Sequence, residues 1–271
     1  CAMPYLNSKI RDTLTALSLV LLLFSCAEEA DTELENTKIL FEITKKLAND
    51  GDARAQCTLG VMYYIGEVVP KDFKEAVKWY RMSADQGDAD AQCRLGIMFD
   101  NGTGVPQDYE KAVKWYRMAA EQGFAFAQVN LGLMYDNGKG VLQDFKKASK
   151  WYRMSAEQGL ACGQYNLGMM YMNGTGVPQD YKEALQWWRM SAEQGDAKAQ
   201  CNLGVMYYNG EGVSKDYKEA YAWWSVSKSN GHEVAEMNLG VLEKEMTEEQ
   251  ISEAMSLSTE IQKRIKANKK D

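Results

Sequence analysis

The chain repeats itself. Leu-Gly recurs at 59–60, 95–96, 131–132, 167–168, 203–204 and 239–240, a constant step of 36 residues. Ala76, Ala112, Ala148, Ala184 and Ala220 keep that step, and so do Trp79, Trp115, Trp151, Trp187 and Trp223. The closing glycines Gly87, Gly123, Gly159, Gly195 and Gly231 do the same. A period of roughly 20–50 residues marks units that cannot bury their own apolar face and acquire a core only by stacking on copies of themselves.

Within a unit the apolar spacing is helical. In the second copy Ala91, Leu95, Met98 and Phe99 stripe a first helix from Ala89 to Asp100. Asn101-Gly102 ends it, because the residue past a helix end favours positive φ, and Gly104 supplies a second such position. Pro106 follows, and Asp108 is placed as the N-cap of a second helix that buries Tyr109, Ala112, Val113, Tyr116 and Ala120. Asp72/Glu75, Asp180/Glu183 and Asp216/Glu219 keep a capping-box spacing at the same point. The first unit reads Ile65-Gly66-Glu67-Val68-Val69, with valine in place of the second glycine, so its turn is expected to differ. Every unit is thus a helical hairpin, and the fold class is all-α.

The combination Ala-x-Ala-Gln-x-x-Leu-Gly-x-x-Tyr/Phe, then Asn-Gly-x-Gly-Val, then Asp-Tyr-x-x-Ala-x-x-Trp-Tyr resembles the Sel-1-like repeat family, related to tetratricopeptide repeats. The resemblance implies a right-handed superhelical α/α solenoid of tandem 36-residue helix-turn-helix repeats, whose inner groove serves as an adaptor surface. It divides the chain into a signal peptide at 1–25, a linker and N-terminal capping helix at 26–50, repeats at 51–246 and a C-terminal capping helix with basic tail at 247–271. The repeats comprise five full copies and a divergent sixth. At the front, Leu40, Ile43, Leu47, Ala48 and Gly51 fall on second-helix positions of a truncated unit. At the back, Thr247-Glu248-Glu249-Gln250 is a capping box opening a long polar helix to about Ala267.

Lys9 and Arg11 precede the apolar run Leu14–Phe24, which is too short to span a bilayer and reads as an export leader. It ends in Leu23-Phe24-Ser25-Cys26, similar to the lipobox of bacterial lipoproteins, which makes Cys26 the candidate lipidation site. Ordinary cleavage after Ala27 is the alternative. The expected location is the periplasm or outer membrane as a lipoprotein, or otherwise secretion, with membrane contact only through a lipid on Cys26. A formal charge of −7 disfavours nucleic acid, because phosphate backbones repel an acidic surface. The tail Lys263, Arg264, Lys266, Lys269 and Lys270 is a local exception that suits a helix C-terminus.

No constellation of catalytic residues emerges, and no metal site or cofactor is expected. The single histidine, His232, stands at a helix start. Asn101-Gly102-Thr103-Gly104 lacks the preceding strand of a phosphate loop and recurs as a turn. Ser225-Val226-Ser227-Lys228 matches the Ser-x-x-Lys of serine β-lactamases, yet it is the fifth copy of the segment that begins Arg81-Met82-Ser83-Ala84. Some cysteine-rich members of the family it resembles carry two close cysteines per unit and are assigned β-lactam binding or hydrolysis. Here Cys57, Cys93 and Cys201 share one position and stand alone, with Cys162 one turn away. Neighbouring helices pack about 10 Å apart, whereas a disulfide needs Cα atoms within about 4.4–6.8 Å. Four thiols are expected, an uncomfortable state for an exported chain.

The leading expectation is an exported scaffold, not an enzyme, that binds a protein or peptide along the groove. A β-lactamase-like or penicillin-binding enzyme and a peptidoglycan binder are the alternatives, and oligomeric state is left open. Groove-facing positions of the first helices give Asp100, Phe126, Asp136, Tyr165, Met172 and Tyr208 as the candidate contact residues. Of these, Phe126, Tyr165, Met172 and Tyr208 stand out because nothing in the repeat pattern demands them. The ladder Asn101, Asn137, Asn173 and Asn209 is better explained as helix endings than as peptide ligands. The methionine column from Met62 to Met206 and the tryptophan column are assigned to the core.

Overall fold

The computed structural model describes residues 29–268. The leader, Cys26 and Lys269–Lys270 lie outside the described residues. No strand occurs among the described residues. The chain divides between Gln86 and Gly87 into two compact units.

The first unit holds α1 (Glu29–Asn49), α2 (Ala53–Ile65) and α3 (Phe73–Asp85). Asp52 and Asp72 cap α2 and α3 by accepting backbone N–H groups of the first turns, which satisfies donors that a helix start leaves without partners. Phe41, Ala48, Ala55, Leu59, Met62 and Trp79 form its core, with Val68 and Val69 of the divergent turn packed against it. On α1 the buried side differs from the expected one. Phe41, Thr44 and Ala48 face inward, whereas Ile43 and Leu47 are 41% and 47% exposed. Both would face a first helix that α1 does not have.

The second unit holds α4 (Ala89–Asn101), α5 (Tyr109–Glu121), α6 (Ala125–Asn137), α7 (Phe145–Glu157), α8 (Ala161–Asn173), α9 (Tyr181–Glu193), α10 (Ala197–Asn209), α11 (Tyr217–Ser229), α12 (Glu233–Leu242) and α13 (Glu248–Asn268). Helices α4 to α11 are four hairpins, each second helix also packing on the first helix of the next hairpin where both follow α5. Each first helix ends at a left-handed glycine, Gly102, Gly138, Gly174 or Gly210, whose N–H returns to a carbonyl four residues back. Asp108, Asp144, Asp180 and Asp216 cap the second helices as expected. Asp88 and Asp196 cap first helices, while Phe124 and Leu160 occupy that position without a side-chain cap.

The repeated Leu-Gly is the centre of every hairpin. Leu59, Leu95, Leu131, Leu167 and Leu203 are fully buried. The following glycine admits an aromatic ring: a Cβ on Gly96 or Gly132 would stand 2.6 Å from the ring of Tyr116 or Tyr152. The ring-bearing residue is the one after the tryptophan column, namely Tyr80, Tyr116, Tyr152, Trp188 and Trp224. The assignment of the tryptophan column itself to the core therefore needs correction. Trp79 and Trp223 are buried, but Trp115, Trp151 and Trp187 are only half-buried. One position along a helix turns a side chain by about 100°, enough to move it from the hairpin seam to its edge.

Successive hairpins are tied by a buried glutamine from the Ala-Gln pair. Gln128 and Gln200 donate to Ala120 O at 3.2 Å and Ala192 O at 2.9 Å on the preceding helix. Their own carbonyls accept from Gln158 at 2.8 Å and Asn230 at 2.9 Å at the end of the following one. A second tie runs from Arg117 to the Tyr135 hydroxyl at 3.0 Å, and from Arg153 and Arg189 to Tyr171 and Tyr207.

The closing helix departs from the repeat. Thr247 N donates to Gln250 Oε1 at 2.9 Å and Gln250 N to Thr247 Oγ1 at 3.2 Å, the reciprocal capping box. Helix α13 then folds onto α11 rather than α12. Lys218 meets Glu253 at 2.7 Å near their starts and Gln262 donates to Ser229 Oγ at 3.1 Å near their ends, so the two helices run parallel. It is polar outside only, for Ala254, Ser258, Ile261 and Ile265 are buried.

Candidate functional site

The candidate contact residues all lie on first helices of the second unit, and the structure divides them. At the fourth-column position, Asp100 and Asp136 accept the hydroxyls of the core tyrosines Tyr116 and Tyr152 at 3.4 and 3.3 Å. In the next two hairpins the core aromatic is Trp188 or Trp224. Its indole N–H donates instead to the main-chain carbonyl of Tyr165 at 3.1 Å or Cys201 at 3.0 Å. No acceptor is then needed, and the column position becomes Met172 or Tyr208. The change from aspartate to an apolar side chain follows from the hydrogen-bonding chemistry of the ring behind it. Burial pushes the Asp136 carboxyl above its ordinary range, against the lowering effect of the Tyr152 bond.

Tyr165, Met172 and Tyr208 are half-buried and pack against one core cluster around Trp188 and Trp224. Tyr208 stacks on Tyr217 with ring centroids 5.4 Å apart at 20°, and its ring lies 5.7 Å from that of Trp224. Glu245 clamps the pair, accepting the Tyr208 hydroxyl at 2.9 Å and the Tyr217 hydroxyl at 2.8 Å. These bonds, Tyr217 foremost, hold the Glu245 carboxyl below its ordinary range. Lys215 Nζ stands 5.3 and 4.8 Å from the two ring centroids, within cation–π range. Chemically this is a stacked aromatic surface whose hydroxyls recognise a carboxylate. Tyr217, Lys215 and Glu245 were not among the expected residues. Glu245 lies in the non-repeating segment, where periodicity carries no signal.

Phe126 is half-buried at the start of α6, paired with Phe124 at 6.0 Å, and it belongs to neither group. Asn101, Asn137, Asn173 and Asn209 are each the last residue of a helix. Asn137 donates to its own helix at Leu133 O, 2.8 Å away.

The Ser-x-x-Lys copy lies on α11. Ser227 Oγ donates to Ala197 O at 2.7 Å, the same bond that Ser83 makes to Ala53 O and Ser191 to Ala161 O. Lys228 Nζ is ion-paired with Glu236 at 2.9 Å. His232 is the residue before α12 and makes no capping bond. Cys57, Cys93, Cys162 and Cys201 are buried thiols. Burial, with Asp90 adding to it, pushes the Cys93 thiol up to about 12, and burial raises Cys162 and Cys201 as well. A thiol so shielded yields little thiolate, the nucleophilic and oxidisable form. No group of three metal-ligating side chains occurs among the described residues, and no described helix is long and apolar enough to cross a membrane.

Hairpins of one length, joined by a shared glutamine ladder and built on a Leu-Gly seam, define a tandem α/α repeat protein. The family model for the Sel1 repeat matches residues 53–88, 89–124, 125–160, 163–196 and 197–232, and the chain belongs to that family. A solved Sel1 repeat protein from Oxalobacter formigenes is 36% identical with a TM-score of 0.69, over 74% of this chain and 59% of that one. A protective antigen present in uropathogenic Escherichia coli strains, displaying an SLR fold, is 34% identical with a TM-score of 0.59, over 81% of this chain and 56% of that one. The chain thus spans less than two thirds of either relative's length. A Sel1 repeat protein from Klebsiella pneumoniae subsp. pneumoniae, 23% identical with a TM-score of 0.50 over 75% of this chain and 99% of that one, shares the fold. Comparison with curated proteins finds no match.

Proposed function

We infer that the chain is an exported scaffold which binds a protein or peptide on the first-helix face of its second unit. The observation that carries this reading is the cluster of Tyr165, Met172 and Tyr208. These side chains remain partly open although the hairpin core is complete behind them, and exposed aromatics on a rigid element are typical anchors for a partner. Asp100 and Asp136 border them and retain lone pairs after receiving the core hydroxyls. Phe126 extends the surface toward the start of α6. Export rests on the leader, and lipid anchoring on Cys26.

Affinity capture from cell-envelope extract with the wild-type chain and with Tyr165→Ala/Tyr208→Ala tests the binding face. A protein retained by the wild type and lost by the variant is expected, whereas an identical set on both would remove the reading. Cys26→Ala should release the protein from the membrane fraction, and unchanged fractionation would remove the anchor. Turnover of a chromogenic β-lactam that disappears in Ser225→Ala would replace the scaffold by an enzyme.

A further inference from the structure

In each of the five hairpins the Leu-Gly glycine seats a ring from its own second helix: Tyr80 on Gly60, Tyr116 on Gly96, Tyr152 on Gly132, Trp188 on Gly168 and Trp224 on Gly204. Gly240, the sixth member of that column, has nothing within 4 Å of where a Cβ would stand. The reason is the course of α13. By folding onto α11, and reaching α9 through Arg264 and Glu193 at 3.3 Å, it leaves α12 a first helix without a second. Met237 and Val241 on α12 are consequently 64% and 55% exposed. Beside them an open cleft is lined by Tyr221 and Ser225 of α11, Gly240 and Glu243 of α12, and Met255 of α13.

Helix α1 is the converse. Its Ala48 and Gly51 stand 36 residues before Ala84 and Gly87, so it is a second helix without a first. Leu47 holds the place of Ser83, which bonds Ala53 O of its own first helix at 2.7 Å, so a first helix belongs against Leu47. None is there, and Ile39, Ile43 and Leu47 form an exposed apolar stripe at helical spacing. The flanking charges are complementary. Glu233, Glu236 and Glu243 accompany the open side of α12, while Lys38, Lys45 and Lys46 accompany that of α1, with Lys244 and Glu42 the exceptions.

We propose that α1 of a second copy seats on α12, so that one hairpin of the repeat is completed between two molecules. The contact is heterologous: each copy offers a different face at each end, and association continues beyond a dimer. Ile43 and Leu47 of one copy cover Met237, Gly240 and Val241 of the other, removing from water two apolar faces that a single chain leaves open.

Sedimentation equilibrium of the full chain tests this against two variants, Met237→Asp/Val241→Asp and Ile43→Asp/Leu47→Asp. The altered residues are exposed, and unchanged far-UV circular dichroism confirms that each variant folds. The wild type is expected to gain mass with concentration past the dimer, each variant alone to remain monomeric, and their equimolar mixture to form a 1:1 dimer and stop. A monomeric wild type, a variant that still associates alone, or a mixture that stays monomeric overturns the proposal.

Discussion

At the residue scale the seam depends on atoms that are missing. Gly132→Ala places a Cβ 2.6 Å from the Tyr152 ring, an overpacking that should cost about 1–3 kcal/mol in urea unfolding. Gly240→Ala meets nothing within 4 Å and should stabilise by up to about 1 kcal/mol, the helix-propensity difference alone. Equal effects at the two sites would contradict the seat. The Asp136–Tyr152 bond gives a second test. Asp136→Leu leaves a buried hydroxyl without its acceptor, a loss of about 1–3 kcal/mol. Adding Tyr152→Trp should recover part of it, because Met172 with Trp188 already shows that pairing in the next hairpin. A double-mutant cycle measures the coupling, and strict additivity would refute it. Cys93, pushed up to about 12 by burial, should resist iodoacetamide in the native chain at pH 8 and react once unfolded, as followed by mass spectrometry. Such thiols tolerate an oxidising compartment because they lack both exposure and thiolate.

At the scale of elements, each helix ends where its residues dictate, but neighbours are joined by a few polar ties. Gln128 is buried, donates to the Ala120 carbonyl and accepts from Gln158. Gln128→Ala leaves both partners unsatisfied inside a hairpin junction, so its unfolding free energy should fall by about 1–3 kcal/mol. A variant as stable as the wild type would show that the ladder is incidental. The Ala-x-Ala-Gln motif made the glutamine visible in the sequence, but not its partners. Those depend on bringing residues about 30 positions apart together across a stacking interface. The tryptophan column shows the reverse error. Its period was plain, yet only the twist of the helix on its neighbours makes the following ring the central one.

At the scale of the molecule, stability should weaken in alkali. Unfolded cysteine and tyrosine ionise near their ordinary values of 9.0 and 10.0, whereas Cys93 holds its proton to about 12 and burial raises Tyr116 and Tyr152. A folded state that binds the proton more tightly is favoured in full below pH 9.0 and loses that advantage as pH rises from there toward about 12. The urea midpoint should therefore decline between pH 8 and 11, and the decline should be shallower in Cys93→Ala; a flat profile would contradict it. Additive repeat stabilities would spread such losses over the hairpins that carry the buried groups.

The sequence by itself determined the hairpin, its length, its caps and its family, because those features rest on contacts within one unit or with an identical neighbour. Each recurs every 36 residues and so leaves a period. Even the capping box at Thr247 was legible, being local to four residues. Only the tertiary structure decided the course of α13, the clamp of Glu245 on Tyr208 and Tyr217, and the exposure of Ile43 and Leu47. These arise at the ends of the repeat, where a helix meets a partner found once in the chain. A contact made once carries no periodic trace, and its geometry depends on which surfaces the stacked hairpins leave uncovered.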